Sequence, residues 1–179
     1  MRKKISLMVI LLLILSGIVY LGYKLTETVW VSKEFVNHLY QYPLPPETIV
    51  LEKGQFNAKN WIDGGGNGGY WDVVSFMIAS SELSRKEILM YYKDTELFPF
   101  PKSNQLGVEL EIYFEDDQQK EEYNEGFYYR SKQGDIRFIS SYFNDLGEIK
   151  NEGLTDETNE NTNYIIQIHS GFSYFLQID

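Results

Sequence analysis

The stretch "ISLMVILLLILSGIVYLGY", residues 5–23, carries no charge over nineteen positions. At about 1.5 Å per helical residue it reaches roughly 28 Å, close to the thickness of a bilayer's hydrocarbon core. Such a run either spans a membrane or forms the apolar region of a secretory signal. A cleavage site asks for small residues. Here bulky Tyr20, Leu21 and Tyr23 close the run, and Ser16-Gly17 fall inside it. The reading is therefore an uncleaved anchor. The chain has no cysteine, which removes lipid attachment through one and leaves the fold to hold without disulfides.

Charge sets the expected orientation. Arg2, Lys3 and Lys4 precede the run, and basic residues are retained on the cytoplasmic side. The expected division is a cytoplasmic tail at 1–4, a transmembrane anchor at 5–23, a juxtamembrane stalk and Pro-rich linker at 24–46, and an extracytoplasmic domain at 47–179. All 26 acidic residues lie beyond the run, with all but three of the 16 Lys and Arg, so that part is near −13. Such a surface repels phosphate backbones and argues against nucleic acid as a partner, while it can attract cations or basic polypeptides. Roughly 135 residues suffice for one domain with its own core. Alanine occurs only at Ala58 and Ala79 while Ile, Lys and Asn abound, a bias that fits an AT-rich bacterial coding sequence.

Beyond the span, Leu25, Val29, Val36 and Leu39 keep near-helical spacing, so the helix is expected to continue to about Tyr40. Pro43, Pro45 and Pro46 stop it, since proline lacks the backbone donor and clashes with the preceding turn. Short β-prone pieces are expected at 48–51 and 61–62, and a buried strand at 70–79. In "SSELSRKEILMYY", Ser84 followed three residues later by Glu87 fits a capping box, with Leu83 and Ile88 placed as a hydrophobic staple. A helix over 84–93 follows, with Ile88, Leu89, Tyr91 and Tyr92 inward. Residues 107–114 alternate, which predicts one strand with Glu109, Glu111 and Tyr113 on a wet face. A hairpin is expected from 126–130 and 136–143 around residues 132–135, then a long acidic loop over 144–163, then strands at 164–169 and 172–178. The fold class is α+β: an N-terminal transmembrane helix, then a mostly antiparallel sheet with one main helix packed on one face.

The glycine-rich segment "DGGGNGGYWD" meets no ligand-loop template. A phosphate loop needs Lys and Ser or Thr where Tyr70 and Trp71 stand. An EF-hand starting at Asp63 fails at Gly65 and Val74, and a calcium-binding nonapeptide places its aspartate on Tyr70. The expected role of Asp63, Gly66, Asn67 and Gly68 is a structural turn that uses glycine's backbone freedom.

Chemistry-bearing patterns are sparse. His169 and Ser170 are strand neighbours pointing to opposite faces, which excludes a nucleophile–base pair unless the chain bends between them. No serine–lysine spacing, zinc set or cofactor motif is present, so neither catalytic residue, metal nor cofactor is assigned. Glu109 and Glu111, roughly 7 Å apart along a strand, have the separation that glycoside hydrolysis uses, although alternate acids also simply keep a strand soluble. Glu115, Asp116 and Asp117 are a weak cation candidate. Aromatic residues make up 16% of the chain. With one helix covering one sheet face, Tyr113, Tyr128 and Tyr142 are the candidate binding residues of an exposed aromatic platform.

Three segments, "PLPPET" at 43–48, "GNGGYWD" at 66–72 and "SSELSRKEILMYY" at 80–92, together resemble an uncharacterised family of small exported or membrane-anchored proteins of Gram-positive bacteria. The resemblance covers about a third of the chain and implies an exported α+β domain, with no activity or site residues to carry over. The expected function is a non-enzymatic binding or interaction module, attached to the membrane by its N-terminal helix and meeting an envelope protein or polymer. The alternative is a carboxylate-dependent glycan hydrolase.

Overall fold

A computed structural model describes residues 2–59, 70–123, 126–150 and 161–173. Helix α1 (Arg2–Tyr40) is continuous through both the apolar run and the segment beyond it. Every side chain from Met8 to Tyr23 is exposed, and the stretch beginning at Met8 is apolar and long enough to cross a membrane. Lower down, the same helix changes character. Glu27, Ser32, Phe35, Val36 and Leu39 are buried and Val31 is half-buried; the series 27, 31, 35 and 39, with 32 and 36 beside it, lines one helical face. Residues 24–40, expected as a stalk, are thus helical as read, but their inner face is part of the core.

The central sheet has the order β1-β2-β8-β5 and is antiparallel throughout. Its strands are β1 (Thr48–Lys59), β2 (Tyr70–Ser81), β5 (Glu111–Phe114) and β8 (Thr162–Ser173). Two small ribbons complete the strands: β3 (Phe98–Pro99) with β4 (Leu106–Val108), and β6 (Gln118–Tyr123) with β7 (Gly126–Ser131). The class is α+β. Helix α2 (Arg85–Tyr92) starts at Ser84 with both halves of the capping box formed. Ile88, Leu89 and Tyr92 are buried, while Tyr91, expected inward, is 40% exposed. A helix of only eight residues, about two turns, presents one narrow face, and Tyr92 takes it.

Alternation sorts the two sheet faces. Val73, Met77 and Ala79 of β2, Ile112 and Phe114 of β5, and Tyr164, Ile166, Ile168 and Phe172 of β8 form one apolar cluster with α1 and α2. Phe76, Tyr113 and Ile165 face the other way, together with Tyr129 of β7 and the partly buried Phe56 and Phe127. Phe76 lies over Gly54, its strand partner, where an added Cβ would stand 2.1 Å from the ring. The β6–β7 ribbon therefore roofs the second face.

Several expected strands differ. The 107–114 strand is broken between Val108 and Glu111, because β4 pairs with β3 and β5 with β8. Strand β7 pairs back to β6, not forward. Residues 139–142 form a 3-10 turn, while the reversal at residues 131–135 is present with Gly134 at φ 87°. Strand β8 runs without a break through Ser170-Gly171 to Ser173, joining the start of the second expected strand to the first; residues 174–178 of that second strand lie outside the described residues. The glycine-turn residues Asp63, Gly66, Asn67 and Gly68 lie outside the described residues.

Candidate functional site

Two polar assemblies stand out. The first is beneath the β6–β7 roof. Glu111 is 1% exposed, so its carboxylate needs partners in place of water. Tyr113 Oη donates to Glu111 Oε2 at 2.6 Å and Gln167 Nε2 donates to the same oxygen at 2.7 Å. His169 Nδ1 contacts Oε1. Gln167 also spans to the roof, accepting from the Tyr129 backbone N–H at 2.9 Å and donating to its carbonyl at 3.2 Å. Burial, then the neighbouring carboxylate, pushes the Tyr113 phenol well above its usual range, so it stays a donor. The chemistry of this set is cohesion: a polar rivet that fixes the ribbon to the sheet.

This network corrects three expectations. The face carrying Glu111 and Tyr113 is not wet. Tyr113 and Tyr128 are 1% and 3% exposed, so no open aromatic platform forms from them. The sequence counted one cover, the helix, and missed the ribbon as a second. Glu109 and Glu111 do not work as a pair either: Glu109 accepts from the Ser140 backbone N–H at 2.9 Å while Glu111 is consumed in the network. His169 meets Glu111 on the neighbouring strand β5, and β8 continues unbroken through Ser170, which leaves the two neighbours on opposite faces as the alternation predicts.

The second assembly is a cleft of about 330 Å³ lined in part by Arg85, Lys132, Arg137 and Lys150, with Phe114 and Tyr142 on its wall. Arg85 opens α2 and grips Asp116 through two bonds, Nη1 to Oδ2 at 3.0 Å and Nη2 to Oδ1 at 2.8 Å, while its plane lies 5.1 Å from the Phe114 ring. Arg137 Nε is 3.8 Å from Asp117. The lysines have carbonyl partners: Lys132 Nζ donates to the Asp116 carbonyl and Lys150 Nζ to the Ser141 carbonyl at 3.0 Å. Four cations thus face two carboxylates, Asp116 and Asp117. The local sign is positive on a chain segment that is strongly acidic as a whole.

Asp116 and Asp117 are engaged by arginines, and Glu115 accepts from Asn163 Nδ2 at 2.9 Å. Among the described residues no group of three or more His, Asp and Glu gathers as a metal site. Of the three candidate tyrosines, Tyr142 alone lines the cleft. Its hydroxyl donates to the Ile112 carbonyl at 3.1 Å, and burial pushes its pKa up to about 12, so it stays neutral. The sequence offered no signal for the cleft, whose four cations are spread over 66 positions on separate elements. Comparison with protein-family models, curated proteins and solved structures finds no match to this chain.

Proposed function

We propose that this chain is a single-pass membrane protein, N-terminus inside, whose outer domain is a non-enzymatic binding module of the cell envelope for an anionic group. The observation that carries the binding reading is the cation-lined cleft. Among the described residues, Arg85 and Arg137 are held by carboxylates, whereas Lys132 and Lys150 donate to backbone carbonyls. A phosphodiester or carboxylate polymer of the envelope fits that chemistry. The envelope setting draws support from the exposed apolar half of α1, the basic residues before it, and the resemblance to exported Gram-positive proteins.

The test is titration of the detergent-solubilised full chain with a glycerol-phosphate polymer. Expected is binding that weakens as salt rises, because exposed charges are screened beyond about 10 Å at 0.1 M. Lys132→Gln with Lys150→Gln should abolish it at unchanged thermal stability. Equal affinity in that variant would remove the cleft from consideration. Orientation is checked separately: the chain has no native thiol, so Ser141→Cys should react with an impermeant maleimide in wall-stripped cells. Labelling only after lysis would reverse the topology, and release of a shortened chain would mean cleavage.

A further inference from the structure

Burial along α1 begins where its charge-free run ends. Tyr23 is 62% exposed, yet Lys24 and Thr28 are already half-buried and Glu27 is 6% exposed. A domain carried on a stalk would leave a collar of bare helix between membrane and fold. None exists here. Glu27 lies four residues past Tyr23, about 6 Å of helix rise, which is within the depth of a lipid headgroup layer.

What covers Glu27 comes from the far part of the fold. Lys102, in the turn between β3 and β4, places Nζ 3.0 Å from Glu27 Oε1, and Lys24 reaches the same oxygen at 3.0 Å. Lys102 also donates to the Ser173 carbonyl at 2.6 Å and lies over the Phe172 ring. Ser173 is the strand partner of Tyr70. One end of the central sheet is therefore tied, through one lysine, to the helix at the edge of its apolar run. Lys24 and Lys102 share the Glu27 carboxylate at this edge. Tyr70, 56% exposed, and Trp30, 66% exposed, stand nearby in the fold and on α1, with the amphipathic character favoured at membrane interfaces.

We propose that the domain sits directly on the bilayer, with the sheet end marked by Tyr70, Lys102 and Ser173 in the outer headgroup layer. This rests on residues 5–23 being a membrane span. It also sets the cleft's height. Asp116 follows β5 beyond the Phe114–Tyr164 pair, towards the Ser81–Thr162 end of the sheet, roughly 35 Å from Tyr70 at about 3.3 Å per strand residue. The cleft then opens away from lipid, towards a wall polymer.

The experiment places single cysteines in the full chain at Tyr70→Cys, Ser103→Cys and Glu82→Cys, each carrying an environment-sensitive fluorophore. The chain is reconstituted in phosphatidylglycerol–phosphatidylcholine vesicles containing a headgroup spin label. Expected is quenching several-fold stronger at 70 and 103 than at 82, the last lying at the opposite end of β2. Ser103, exposed in the β3–β4 turn, keeps the test sound should the Tyr70 variant misfold. Equal quenching at all three positions in vesicles that still float with protein overturns the seating alone. Protein that fails to float, or is stripped by alkaline wash, overturns the membrane span and this proposal with it.

Discussion

The two faces of the central sheet are buried by different means. Under α1 and α2 the contacts are almost wholly apolar, with Phe35, Leu39, Met77, Ile112 and Ile166 in one cluster. Under the β6–β7 ribbon, aromatic rings share the space with Glu111, Gln167 and His169. A helix satisfies its own backbone groups and offers only side chains to a sheet. A two-stranded ribbon presents unpaired backbone edges as well, and the Gln167 amide meets the Tyr129 edge with both a donor and an acceptor. A polar residue in an alternating strand is thus a reliable sign of solvent only where nothing else lies over it.

The comparison predicts where each face breaks. The largest effect is expected from Tyr128→Ser combined with Tyr142→Ser, which empties buried volume at the roof and beside the cleft. Truncations of this size should cost about 5 kcal/mol in a urea titration. An unmoved midpoint would mean the ribbon is not a roof. On the helix-covered face, Phe35→Ala should cost about 4 kcal/mol. Trp30→Ala, five residues earlier on an exposed side, should stay within about 0.5 kcal/mol. Equal effects would show that α1 does not dock through the stripe ending at Leu39.

Glu111→Ala sharpens the contrast between the faces. It strips the acceptor from Tyr113, Gln167 and His169 and should cost about 3 kcal/mol. Glu111→Gln, which keeps one acceptor oxygen, should cost about half as much. Amide exchange at Tyr129 should quicken in the alanine variant before the β2–β8 pairing loosens; simultaneous loss would make the network part of the apolar core and not a separate rivet. Apart from the Trp30 control, the smallest effect is at the α2 cap, where Ser84→Ala should cost about 1 kcal/mol. The Ser84 side-chain and backbone hydrogen bonds hold the Glu87 carboxyl below its usual value. That contribution is full above the unfolded carboxylate value and is lost as pH falls through the depressed folded one. Ser84→Ala should flatten this acid-side slope, and an unchanged slope would detach Glu87 from the cap.

Local rules determined what local physics controls. The length and neutrality of residues 5–23 required an apolar helix, and its sides are exposed from Met8 to Tyr23; the proline cluster ended α1 at Tyr40. The spacing of Ser84 and Glu87 specified the start of α2, because both cap bonds close within one turn. The alternation over residues 107–114 put Ile112 and Phe114 on one face, and that face is the helix-covered one. Partners across the chain were decided only by tertiary structure. Nothing in the order of residues tells β7 to pair back to β6, or brings Gln167 and Tyr113 to Glu111, or gathers Arg85, Lys132, Arg137 and Lys150 around one cleft. Each of those depends on which surfaces meet once the sheet has formed. Burial energy depends on area and shape at contact, and electrostatic energy on the final separation of charges, neither of which spacing along a chain contains.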